Sequence, residues 1–153
     1  MKLVKQSATS WQYGLDENEA NLLTLLLKEF PFTDLDPVNM SKTDQEPEAK
    51  EREKLLNESL VAHRNELKQS AESLLVPKKF KAQGNGMVMT VSSEERELLL
   101  QILNDIRVGC WNALGRPEKR EPEITNLSAK ENRNYGLMNV AGFFEHSLIK
   151  TEK

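Results

Sequence analysis

One helix-opening pattern occurs twice in this chain of 153 residues, 76 positions apart. Leu15-Asp16-Glu17-Asn18-Glu19 leads into Leu22, Leu23, Leu26, Leu27 and Phe30, and Val91-Ser92-Ser93-Glu94-Glu95 leads into Leu98, Leu99, Ile102, Leu103 and Ile106. Each copy sets an apolar residue before an Asp or Ser cap and a Glu three positions after it. This is the capping box, in which the cap oxygen accepts from the third helical amide while the Glu reaches back to the amide of the cap. Such a cap contributes about 0.5–2 kcal/mol, and the apolar spacing behind it is that of a helix buried on one face. The repeat predicts two halves, about 1–77 and 78–153, within one domain.

The residues before each cap read as short strands. Trp11-Gln12-Tyr13-Gly14-Leu15 alternates, Met87-Val88-Met89-Thr90-Val91 is rich in strand formers, and Lys79-Phe80-Lys81-Ala82 alternates again. Gly84-Asn85-Gly86 holds an Asn-Gly dipeptide, the pair favoured by tight hairpin turns. A phosphate cradle would instead need its glycines to run straight into a helix N-terminus, and five residues separate Gly86 from Ser92. A small antiparallel sheet is therefore expected, with Lys2 to Lys5 available as a further strand.

Four helices complete the plan. Thr33 to Glu46, with Pro37, reads as a loop, and Pro47 to Leu75 as a long helix ended by Pro77. Its first turns carry the acid-before-base pairs Glu46–Lys50 and Glu48–Arg52, each contributing roughly 0.2–0.5 kcal/mol, so this front end should project into solvent or pack lightly. Leu56, Leu60, Leu67, Ala71 and Leu74 form its apolar stripe, with His63 on the same stripe as a core or interface residue. A third helix is expected from Ser93 to Leu114, closed by Gly115 in the left-handed conformation. Its later part, Ile106 to Leu114, is apolar round much of its circumference and so belongs at the centre of the domain. After a polar loop from Arg116 to Asn126, the last helix should run from Ala129 to Lys150, capped by Ser128 with Glu131. Met138, Ala141, Phe144 and Leu148 form its face, with Leu137, Val140 and Phe143 alongside. The expected fold is mainly α, a four-helix core with a small antiparallel β-sheet, in the order strand-helix-helix, hairpin-helix-helix.

Several functions are excluded or left without support. No apolar run reaches the roughly 18–20 residues that span a bilayer, and Met1 to Gln6 lacks the apolar core of a signal peptide, so a cytoplasmic location is expected. The single cysteine, Cys110, allows neither an intrachain disulfide nor a cysteine-built zinc site, and inside an apolar helix it reads as a buried small hydrophobe. The two histidines, His63 and His146, fit no metal-binding helix pattern, since Leu60 and Phe143 stand where a Glu would be needed. Ser147-Leu148-Ile149-Lys150 has the Ser-x-x-Lys spacing of some acylating enzymes but none of their companion motifs. With 21 basic against 24 acidic residues the chain carries a net charge of −3 and no nucleic-acid footprint. Lys78-Lys79-Phe80-Lys81 reads as a solvated strand edge. No cofactor and no metal are called for.

The remaining candidates are polar and aromatic residues of the last two helices. Asn104, Asp105 and Arg107 interrupt an apolar stretch just before Trp111, either as an interhelical network that fixes packing or as a polar patch on a ligand or partner surface. Phe143 and Phe144 lie about 100° apart on their helix, so both cannot point into one core.

Two segments resemble a bacterial family of proteins, the domain-of-unknown-function family two-thousand-and-seventeen. The first is Val91-Ser92-Ser93-Glu94-Glu95 through Leu103-Asn104-Asp105-Ile106-Arg107 to Leu114-Gly115. The second is Tyr135-Gly136-Leu137 with Ala141-Gly142-Phe143-Phe144-Glu145-His146-Ser147-Leu148. Leu15 to Leu27 is similar as well, while Trp111-Asn112 and the charged entry to the second helix depart from the pattern. The resemblance implies a helical cytoplasmic protein without an assigned activity. It also hints at protein quality control, because members are often encoded beside an adaptor of the ATP-dependent protease system.

The sequence thus favours a non-enzymatic protein–protein interaction or regulatory module whose partner is another protein or a second copy of the chain. The alternative is a small-molecule binder or modest enzyme with a pocket between helices and sheet. Asn104, Asp105, Arg107 and Glu145 would supply its polar groups against Trp111 and Phe144.

Overall fold

The computed structural model describes residues 1–30, 32, 47–117 and 127–150. The expected loop from Thr33 to Glu46 lies outside them, as does all of the second loop except Arg116 and Pro117. The chain runs β1 (Lys2–Gln6), β2 (Ser10–Asp16), α1 (Glu17–Glu29), α2 (Pro47–Leu74), a 3-10 turn (Pro77–Lys79), β3 (Phe80–Gln83), β4 (Gly86–Ser92), α3 (Ser93–Ala113) and α4 (Ala129–Ile149). It is mostly helical, with four helices and a four-stranded antiparallel sheet. Lys2 to Gln6 does form a strand, so the first half opens with a hairpin, as the second does. Ser7 and Ser10 close its turn through a 2.8 Å backbone bond and a 3.1 Å bond from the Ser10 amide to the Ser7 hydroxyl.

All three predicted capping boxes are formed. Asp16 accepts from the Glu19 amide at 2.8 Å, and the corresponding bonds from Glu95 to Ser92 and from Glu131 to Ser128 measure 3.1 and 3.2 Å. The end of α3 is equally local in origin. Gly115 takes φ +82°, its amide donates to the Asn112 carbonyl, and the Arg116 amide donates to the Trp111 carbonyl. These two bonds make a Schellman closure.

The sheet order is β1-β2-β4-β3. At its centre Tyr13 stands opposite Met89, and these two are also the equivalent positions of the 76-residue repeat. A pseudo-two-fold axis therefore passes through this pair and relates the hairpin β1-β2 to the hairpin β3-β4. Tyr13, Leu15, Met89 and Val91 face inward and are buried against Leu23, Leu26, Leu27 of α1, Leu99, Ile102, Leu103 of α3 and Phe144, Leu148 of α4. These repeat-related leucines and isoleucines form one core, each half contributing a hairpin and the helix that follows it.

The details of the second hairpin differ from expectation. Gln83 pairs with Gly86, so the two-residue loop is Gly84-Asn85 rather than Asn85-Gly86. Only Gly84 takes a positive φ, +60°, the arrangement of a type II′ turn with glycine first. Gly86 serves another purpose: a Cβ there would lie 2.6 Å from the Leu15 carbonyl oxygen, so β2 and β4 approach too closely for a side chain.

Three helical expectations are corrected. On α2 only Ala71 and Leu74 are buried, Leu60 and Leu67 are half-covered, and Leu56 and His63 are exposed. The helix meets the core over its last turns, through Leu67, Ala71 and Leu74, while Leu56 and Leu60 of the stripe lie outside the core among the described residues. His63 is therefore not a core residue. The later part of α3 is buried on one face only, through Ile106 and Cys110, while Val108, Trp111, Asn112 and Ala113 are exposed. Apolar composition all round a helix does not bury it where neighbours stand on one side. Finally, Phe144 is fully buried and Phe143 half exposed, with their rings 5.3 Å apart at 69°, as the 100° step requires.

Candidate functional site

Asp105 and Arg107 are two residues apart on α3 and thus point to opposite flanks of the helix. On one flank the guanidinium of Arg64, from α2, stands 3.8 Å from Asp105 Oδ1 and donates to the Phe32 carbonyl at 2.9 Å. The Phe32 amide hydrogen-bonds the Asp105 carboxyl in turn, and the Phe32 ring lies on Gly109, where a Cβ would come within 2.6 Å of it. This clamp fastens the middle of α2 and the chain beyond α1 to α3. Burial raises the pKa of Asp105 above the ordinary 3.8, against the lowering pull of Arg64 and the Phe32 amide. Its Oδ2 finds no hydrogen-bond partner among the described residues.

On the other flank Arg107 Nη1 stands 3.0 Å from Glu145 Oε2 of α4, and its Nη2 reaches Asn104 Oδ1 at 3.5 Å. Trp111 lies one turn further along, exposed, with its indole N–H donating to the Pro117 carbonyl at 3.1 Å. Phe144 is inside the core. The six predicted residues therefore divide. Asn104, Arg107 and Glu145 come together, Asp105 belongs to the α2 clamp, Trp111 borders the first group, and Phe144 cannot line an open site. The arrangement is that of two interhelical ion pairs that set the register of α2 and α4 on α3.

Other chemistry is equally constrained. Cys110 is fully buried, and burial pushes its thiol up to about 11, so it is a poor nucleophile. The Ser147 hydroxyl donates to the Phe143 carbonyl at 2.8 Å, within its own helix. Among the described residues no three His, Cys, Asp or Glu side chains gather as a metal-ligand set. No helix among them is long and apolar enough to cross a membrane.

One cluster escaped the sequence reading. Arg96 donates to the Tyr13 hydroxyl at 3.0 Å and to the Leu148 carbonyl at 2.5 Å, and its guanidinium lies 4.4 Å above the Trp11 ring. It ties β2, the start of α3 and the negative end of α4 together, where a cation is favoured. The repeat places Ala20 at the equivalent position, and no short-range pattern marks Arg96 as a partner of residues 83 and 52 positions away. Comparison with known proteins yields no relative: no family model matches the chain, and no curated protein or solved structure matches it.

Proposed function

We propose that this chain is a non-enzymatic protein–protein interaction or regulatory module. The observation that carries this reading is α2. Its 28 residues extend about 42 Å at 1.5 Å per residue, yet only Ala71 and Leu74 are buried, while Leu55 and Val61 are more than half exposed. Charges line its front, with Glu48–Arg52 and Lys54–Glu58 in ion-pair range at the i,i+4 spacing that favours a helix. Such a helix presents a surface to another protein or to a second copy of the chain. The ion pairs on α3 set packing and leave Asn104, Arg107 and Trp111 as an exposed polar-aromatic margin.

The test is light scattering of the purified protein with capture of partners from its source cells, for the wild type and for Leu55→Glu/Val61→Glu. The expected result is a dimer or a stoichiometric partner, lost in the double variant while the melting temperature holds. A monomer that captures nothing, or capture unaffected by the variant, would overturn the reading.

A further inference from the structure

Helices α1, α3 and α4 lie against one side of the sheet, to which Tyr13, Leu15, Met89 and Val91 point. The alternate residues point outward, where among the described residues no element covers them. Strand register places Lys2, Gly14, Val88 and Lys81 in one cross-strand row over all four strands, and Lys5, Gln12 and Thr90 in the next. Val4, the extra residue of a bulge in β1, joins this side, since its methyl would meet a Cβ on Gly14 at 3.1 Å. The middle of the face is thus low and uncharged, and its edges carry lysines.

The charge there runs against that of the molecule. Residues 1–16 and 77–92 hold five lysines and one carboxylate, in a chain whose net charge is −3. The one carboxylate, Asp16, is committed to the cap of α1. Lys79 is held by Glu95, whereas Lys2, Lys5 and Lys81 are exposed and have no ion-pair partner among the described residues. Solubility alone does not call for cations framing an uncharged strip.

We propose that this open sheet face is a docking surface for an acidic amphipathic helix of a partner protein. The width fits: three inter-strand steps of about 4.8 Å put the backbones of Lys2 and Lys81 roughly 14 Å apart, and a helix with its side chains is about 10–12 Å across. The apolar side of the helix rests on Val4, Gly14 and Val88, over a concavity of about 580 Å³ lined also by Lys2 and Gly86. At the α1 end of this concavity the carboxylates of Asp16 and Glu19 are held in the helix cap and, for Glu19, by the Met1 ammonium. The carboxylates of the docked helix reach Lys2, Lys5 and Lys81. A second copy stacked face to face is disfavoured, because lysine edges would meet lysine edges. The outward rows also offer no arginine and no aromatic ring on which a base could stack. The proposal deepens the interaction reading by naming a partner class, and it uses a surface separate from α2.

The probe is a fluorescein-labelled helical peptide of Glu and Leu, about five turns long, read by anisotropy. A Lys-for-Glu version, an oligodeoxynucleotide of equal charge and phosphatidylserine vesicles serve as comparisons. The wild type should bind the acidic peptide saturably, more weakly as salt rises. Since each rim charge pair contributes about 0.2–1 kcal/mol and reversal adds repulsion, K2E/K5E/K81E should bind at least about tenfold more weakly. Reversal of three α2 lysines, K50E/K54E/K68E, should leave binding within about twofold. Should K2E/K5E/K81E not fold, Lys5→Gln/Lys81→Gln supplies the same comparison without reversal. Absence of saturable peptide binding, equal binding by the sheet and α2 variants, or tighter binding of the oligonucleotide or vesicles than of the peptide would each overturn the proposal. Loss of partner capture by Leu55→Glu/Val61→Glu with peptide binding intact, or the reverse, separates its fate from that of the α2 surface.

Discussion

Cys110 has no exposed surface, and with its thiol pushed up to about 11 it stays protonated at neutral pH. A thiol reagent such as a disulfide-bearing nitrobenzoate should therefore label the native protein only at the rate at which it unfolds, and label it at once in denaturant. Two carboxyls act in opposite directions on stability. Burial by itself would raise Glu95, but the Lys79 ammonium and the Ser92 amide outweigh it and hold the carboxyl below the ordinary 4.5. A depressed folded pKa contributes stability above 4.5 that is lost as the pH falls through the folded value. Asp105 is raised instead, so its ionisation costs the folded state stability as the pH climbs from 3.8 through the folded value. In chemical denaturation across the acid range, Glu95→Gln should flatten the loss of stability toward low pH. Asp105→Asn should remove the loss on the rising side, so that the difference in stability between variant and wild type shifts in the variant's favour from low pH to neutral pH.

At the scale of elements, the ends of the helices and their bodies are controlled differently. The starts of α1, α3 and α4 are fixed by capping boxes whose partners lie three residues apart. They were legible in the sequence because nothing outside one turn is needed to build them. The burial of α2 was not legible, because a stripe of Leu56, Leu60 and Leu67 has the same spacing whether or not anything stands opposite. Unequal attachment has a measurable consequence. Leu74→Ala should cost about 2–5 kcal/mol, as a buried leucine does. Leu55→Ala, exposed on the same helix, should shift the denaturation midpoint within about ±0.5 kcal/mol. A comparable loss at both positions would mean that the front of α2 is packed as firmly as its end.

For the molecule as a whole, the axis through Tyr13 and Met89 joins two halves by the pairing of β2 with β4 and by one shared core. Neither half can cover its inner sheet face alone, and each alone exposes an unpaired strand edge. Residues 1–77 and 78–153 made separately should show no cooperative thermal transition, and mixing them should restore one by circular dichroism. A half that melts cooperatively by itself would show that the interface between halves is not what completes the core. The candidate residues of α3 follow the same logic: Asp105 and Arg107 were visible as charges in an apolar stretch. Their partners Arg64 and Glu145 were decided by how α2 and α4 lie on α3.

The sequence by itself determined the starts of α1, α3 and α4, the Gly115 stop, the strands before two of the caps and the likeness of two segments 76 positions apart. Each of these depends on neighbours within about one turn or on a pattern repeated along the chain. Only the tertiary structure decided the strand order β1-β2-β4-β3, the tie of Arg96 to Tyr13 and Leu148, the exposure of α2 and the lysine rows on the open sheet face. These join residues tens of positions apart, and the attraction between such groups depends on distance in space, which local pattern does not encode.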